Sequence, residues 1–199
     1  VLLPASANGI EKTISSEDVL LENVGATQNQ LNIKARADYM YDITWVAQQT
    51  VGGWGGTFYK GNTYHIPYGQ PINSGKYIGY GATIEEFLEA AATAGSIFYT
   101  VQSYYTGPTA PYYVTDCSSY VSWCWGIARK TTYFIPNVST SIGAVTTNRA
   151  TWNLQLGDAL NSNAHVVIVS NLWYNSDGSI SSIEITEQTP PQMKRTVYT

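Results

Sequence analysis

Two cysteines and two histidines are present in this chain of 199 residues, and their positions limit the chemistry it can do. Cys117 and Cys124 stand seven residues apart in YVTDCSSYVSWCWG. Cys117, Tyr120, Val121, Cys124, Ile127 and Ala128 follow i, i+3/i+4, i+7 spacing, which predicts a helix packed on its cysteine stripe. Asp116 or Thr115 would cap its start, and Arg129 and Lys130 would suit the negative end of its dipole. On such a helix, rising ~1.5 Å per residue, the two Cα atoms lie roughly 10 Å apart, beyond the roughly 7 Å limit for a disulfide. A structural zinc site is equally poorly served, because two Cys and two widely separated His do not supply four ligands at finger spacing. No metal site is expected.

The two cysteines therefore have different prospects. Cys124, in the middle of the stripe, reads as a small core residue. Cys117 falls in the first helical turn, where unpaired N–H groups and the helix dipole favour a thiolate, so it is the candidate nucleophile, with a buried small residue as the alternative. A thiolate nucleophile needs a base. His65 sits in a Gly-rich loop and reads as solvent-facing or structural. His165 opens the apolar run HVVIVSN, which reads as a strand with His165, Val167, Val169 and Asn171 on one face.

Hairpin geometry supplies a third group. Residues Asn175-Ser176-Asp177-Gly178 form a turn, and pairing Tyr174 with Ser179 across it sets Gln188 opposite His165, whereas a slip by one sets Glu187 against Val167. Ile183 and Ile185 mark a core face that Glu187 continues; Ser182, Glu184, Thr186 and Gln188 form the other. Glu187 is thus the preferred partner for the imidazole, with Gln188 in reserve. Glu85, Glu86 and Glu89 resemble a carboxylate cluster, but helical spacing after a capping box marks a solvated face, not a glycosidase pair.

The elements that must hold these groups are legible in outline. Residues 1 to 27 read as a lead-in, in which Ala5-Ser6-Ala7 fits the small-x-small end of a secretory signal. Gln28 to Gln49 contains neither Gly nor Pro, and Leu31, Ala35, Tyr39, Ile43 and Val46 recur at helical spacing, so a helix is predicted there. The stretch from Val51 to Gly75 is turn-rich, and Trp54, Tyr59, Tyr64 and Tyr68 within it either line a groove or cover the core. Thr83 and Glu86 form a capping box for a helix that Gly95 stops. After the cysteine helix come strands, in LQLGDALN, AHVVIVSNLWY, SISSIEIT and QMKRTVYT. Helices first and antiparallel strands afterwards indicate an α+β architecture.

Bulk composition excludes several function classes. Charged residues are 12% of the chain, the formal net charge is -4 and the ten Lys and Arg are scattered, which argues against a nucleic-acid partner. No apolar run approaches the ~20 residues of a membrane span. The 16 Tyr and 6 Trp suit either a large aromatic core or a surface for sugars, peptides or wall polymers. The length fits one domain from 1 to 199, comprising the lead-in, a helical and loop-rich elaboration over 28–110 and a core over 111–199.

Taken together, DCSSYVSWCWG, LQLGDAL, AHVVIVSN and IEITEQT resemble the bacterial cysteine peptidases and amidases of the NlpC/P60 and CHAP superfamily, over roughly residues 112 to 189. The Asp-Cys-Ser and Gly-Asp-x(6)-His elements carry the likeness jointly. EQT leans toward CHAP and DCSSYV toward NlpC/P60, although Ser119 stands where the latter usually has Gly. The resemblance implies a papain-like fold, with the nucleophile at the start of a central helix packed on an antiparallel sheet. It also implies a secreted or cell-wall hydrolase that cuts amide bonds of peptidoglycan, as a stem-peptide endopeptidase or an N-acetylmuramoyl-L-alanine amidase. Cys117 would be the nucleophile, His165 the general base and then acid, and Glu187 the residue that orients the imidazole. Asp116 and Ser118 match positions that help relatives bind a free amine of the substrate, and Tyr112 or Tyr113 loosely matches a Tyr that helps hold the oxyanion. The expected protein works without a cofactor, as a monomer. The alternatives are a transglutaminase-like acyltransferase, and a non-catalytic module that binds wall or glycan through the Trp54 to Tyr68 loop.

Overall fold

The computed structural model describes residues 21–71, 75–101 and 111–199; the candidate signal end at Ala5-Ser6-Ala7 lies outside them. In chain order the elements are β1 (Leu21–Glu22), α1 (Gln28–Asp42), β2 (Thr44–Val46), β3 (Val51–Gly53), β4 (Gly56–Phe58), β5 (Thr63–His65), β6 (Lys76–Ile78), β7 (Gly81–Ala82), α2 (Ile84–Ala92), α3 (Ile97–Thr100), β8 (Tyr113–Val114), α4 (Cys117–Trp125), β9 (Ala159–Asn161), β10 (Val166–Tyr174), β11 (Ile180–Glu187) and β12 (Lys194–Tyr198). The architecture is α+β. Its main sheet is antiparallel, in the order β1-β10-β11-β12, and β9 also pairs with β10. Small two- and three-stranded sheets are formed between Thr44 and Val114.

Local chemistry explains most boundaries. Thr27 caps α1 through a capping box with Gln30, and Thr83 caps α2 the same way with Glu86. Helix α1 stops at Asp42, short of the Gln49 expected from periodicity, because Ile43 leaves the helix in extended conformation and Thr44-Trp45-Val46 form β2 against β5. The buried face of α1 is also different from the one expected: Ile33, Ala37 and Met40 point inward, while Leu31, Ala35 and Tyr39 face solvent. Between Val51 and His65 the turn-rich chain still forms short strands: β3 and β4 make a tight hairpin whose reversal has Gly55 at φ 75°, and β5 returns to pair with β2.

Both faces of the main sheet are covered. Val166 and Ile168 of β10 join a large cluster with Ile33, Ala37 and Met40 of α1 and Tyr120, Val121 and Cys124 of α4. Leu156, Val169, Leu172, Ile183 and Ile185 form a smaller cluster. Ile183 and Ile185 therefore mark the minor core, not the helix-facing one. Val169 and Leu172 reach the same cluster although three residues apart, because a bulge at Ser170 shifts the register between Val169 and Asn171. Each large apolar side chain buried in this way contributes about 1.5–3 kcal/mol relative to exposure.

Candidate active site

Helix α4 is buried along nearly its whole length, serines included. Asp116 is its N-cap, accepting from Ser119 N at 2.6 Å, and Gly126 ends it in the left-handed region at φ 69°. Cys117 is the first residue of the helix and is 4% exposed.

His165 is delivered by a tight turn. Its N–H donates to Ser162 Oγ at 3.1 Å, and its carbonyl accepts from Ser162 N at 2.8 Å and from Ser162 Oγ at 3.0 Å. It lies one residue before β10, free of the in-and-out alternation of the strand, so its ring can reach the tip of α4. His165 Nε2 meets Glu187 Oε2 at 2.7 Å, and the Cys117 thiol is near enough to the ring to act on its protonation. With Nε2 engaged by the carboxylate, Nδ1 is the nitrogen left for sulfur. The thiol contact, then Glu187, outweigh partial burial and push the imidazole up to about 9, so it is cationic at neutral pH. The His165 and Glu187 side chains retain 36% and 20% exposure, which leaves the pair open to a substrate.

The register of β10 and β11 decides between the two candidates for the third position. Tyr174 pairs with Ile180 and Ile168 with Thr186, the slipped alternative, which brings Glu187 to the end of β11 beside the imidazole. Gln188, in contrast, is fully buried, and its Nε2 donates to the carbonyls of Ile66 and Pro67 at 3.1 and 3.4 Å.

Around the helix tip a second set of groups closes on Asp116. Oδ1 accepts from Ser118 Oγ at 3.0 Å, and Oδ2 accepts from Tyr77 OH at 3.2 Å and from Arg129 Nη2 at 3.1 Å. Strand β6 brings Tyr77 there by pairing in parallel with β8, the strand that leads into α4. Arg129 does not serve the C-terminal end of the helix as its position suggests. Its side chain runs back along α4, donating from Nε to Ser119 Oγ and from Nη2 to Tyr77 OH, both at 2.8 Å, with the guanidinium 4.0 Å over the Tyr77 ring. Burial first, then the charge on Asp116, raise the Tyr77 phenol.

Tyr112 and Tyr113 pack edge to face at 4.9 Å as buried members of the core. Besides Tyr77, Tyr68 approaches this end of the helix. It bridges to Thr115 in parallel and is raised to about 12, chiefly by burial, with the charges of Cys117 and Asp116 adding to the effect. Its ring packs edge to face with Trp54 at 5.5 Å. Tyr68 belongs to the aromatic loop read earlier as a groove or a cover, and nothing in its local sequence distinguishes it from Tyr59 or Tyr64. His65 stacks on Tyr41 at 4.3 Å, with Nδ1 2.7 Å from the Tyr41 carbonyl.

Among the described residues, no group of three or more His, Cys, Asp or Glu could hold a metal ion, and no helix is long and apolar enough to cross a membrane. Compared with models of protein families, with curated proteins and with solved structures, the chain matches none.

Proposed function

We propose that this chain is a papain-like cysteine hydrolase of the NlpC/P60 and CHAP type, acting outside the cell on amide bonds of peptidoglycan. One observation carries the reading: a thiol at a helix N-terminus, an imidazole that acts on it and a carboxylate 2.7 Å from that imidazole come together from three separate stretches of chain. An aromatic-rich, charge-poor composition and the resemblance around Cys117 and His165 support the choice of substrate.

In this scheme the thiolate of Cys117 attacks the amide carbonyl carbon, forming a C–S bond as the carbonyl π electrons move to oxygen. Ser119 N and Tyr120 N are taken by Asp116, so the N–H groups of Cys117 and Ser118 are the ones left at the helix start for the oxyanion. Tyr68 OH, held protonated by its raised pKa, adds a donor there. Collapse of the intermediate breaks the C–N bond as imidazolium His165 gives its proton to the leaving nitrogen. Neutral His165 then takes a proton from water, whose oxygen attacks the thioester. Cleavage of the C–S bond returns the thiolate and releases the acid. Glu187 holds the ring orientation and stabilises its cation throughout.

Digestion of purified walls with the wild-type chain and with Cys117→Ala, followed by mass spectrometry of the soluble fragments, tests this. Fragments with new amine and carboxylate ends are expected from the wild type alone. Identical fragments from both would remove the nucleophile, and amine incorporation without fragment release would make the protein a transferase.

A further inference from the structure

The tip of α4 carries a cation of its own. Asp116 has two carboxylate oxygens with room for about four hydrogen bonds, and four donors fill them: Ser119 N, Ser118 Oγ, Tyr77 OH and Arg129 Nη2. The residue is 4% exposed. A substrate ammonium arriving at this carboxylate would meet no free lone pair, and would have to displace a guanidinium that Ser119 and the Tyr77 ring also hold. It would also approach a like charge, since the Arg129 side chain keeps 29% exposure. Ser119, at the position where relatives usually have Gly, is the anchor for Arg129 Nε.

We infer that the acyl half of the substrate is recognised without a free α-amine, and that Arg129 is the specificity-determining residue that excludes one by pairing with Asp116 from within the chain. The inference rests on the hydrolase reading and narrows its substrate class. The bond cut lies in N-substituted material, such as a stem peptide still joined to its sugar or to a preceding residue, and trimmed fragments with exposed amines are not preferred. Asp116 and Ser118 act here as positioning residues for the helix tip.

The test compares one stem-peptide fragment with its α-amine free and with the same amine acetylated. For the wild type, acetylation is expected to leave kcat/KM within about threefold or to raise it, whereas a fall of about tenfold or more would overturn the inference. In Arg129→Gln the carboxylate is released, and the free-amine form should gain about tenfold relative to the acetylated one. Arg129→Lys keeps the charge and should show no such gain. If Arg129→Gln gains nothing while folded, Arg129 is not the excluding group. If it does not fold, the wild-type and Arg129→Lys ratios decide.

Alkylation of Cys117 by neutral iodoacetamide and cationic 2-bromoethylamine, each scaled to glutathione, separates this idea from its foundation. No preference for the cation in the wild type, and a preference in Arg129→Gln, supports the charge assignment even if neither peptide is cut. A cation preference in the wild type overturns it. A Cys117 no more reactive than glutathione toward either reagent removes the nucleophile, and the specificity falls with it.

Discussion

The two cysteines of α4 are both buried, on the same stripe of the same helix, yet their surroundings differ completely. Cys124 is enclosed, and burial pushes its thiol up to about 12 despite a hydrogen bond with Tyr120 and the nearby Arg36. Cys117 has near it an imidazole whose pKa is raised, and it lies among the N–H groups of the helix start. Burial alone makes a cysteine inert; a partner and a helix terminus are what the proposed role of Cys117 as nucleophile rests on.

The most severe way to break this contrast is to remove one side of it. Cys117→Ala and His165→Ala should each lower wall hydrolysis on the order of 10⁴-fold, while Cys124→Ala leaves kcat within a few-fold. Comparable losses at both cysteines would erase the distinction. Next in size is the difference in labelling: at pH 7.5, iodoacetamide should modify Cys117 at least ~100-fold faster than Cys124 in the folded protein, read by peptide mapping.

Glu187→Gln sharpens the comparison further. It should cost roughly 10²-fold in kcat/KM. It also removes the carboxylate charge that helps raise His165, so the alkaline limb of the pH–rate profile should move down from near pH 9. An unmoved limb would show that Glu187 does not act on the ring. A smaller effect lies in stability. His165 is raised from 6.5 to about 9 on folding, so folding favours its protonated form. That stabilisation is complete below about pH 6.5 and is lost as pH rises through about 9. The wild-type Tm should therefore fall more than that of His165→Gln between pH 7 and 10. Smallest of all, Cys124→Ala should cost about 1 kcal/mol through a small cavity, measured by chemical denaturation.

What could be read from sequence follows the range of the interactions. Cys117 and its Asp116 cap, and the Thr83 and Glu86 box, depend on neighbours within a single turn, and they stand where spacing put them. The meeting of His165 with Glu187 was reachable because one of the two registers weighed for the hairpin, the one seen at Ile168 and Thr186, presents the carboxylate, although the bulges that shift the middle of the hairpin are not encoded in the turn. In contrast, Arg129 reaches back along α4 from beyond its C-terminal end, and Tyr68 arrives through a pairing with Thr115. Neither is encoded in local periodicity. The face of α1 was misread for a related reason: Ile33, Ala37 and Met40 and the set led by Leu31 both fit helical spacing, and only packing against α4 and β10 selects between them.

The helix that bears the sulfur is also the one the large core is built around, with Tyr120, Val121 and Cys124 wholly enclosed. In the proposed enzyme, reactivity and folding would therefore be a single event. Before the core condenses, the thiol, the ring and the carboxylate are separate groups on an open chain and can attack nothing in concert. For a protein proposed to degrade the envelope it must first pass through, such a dependence would keep the cutting power switched off until the journey is over.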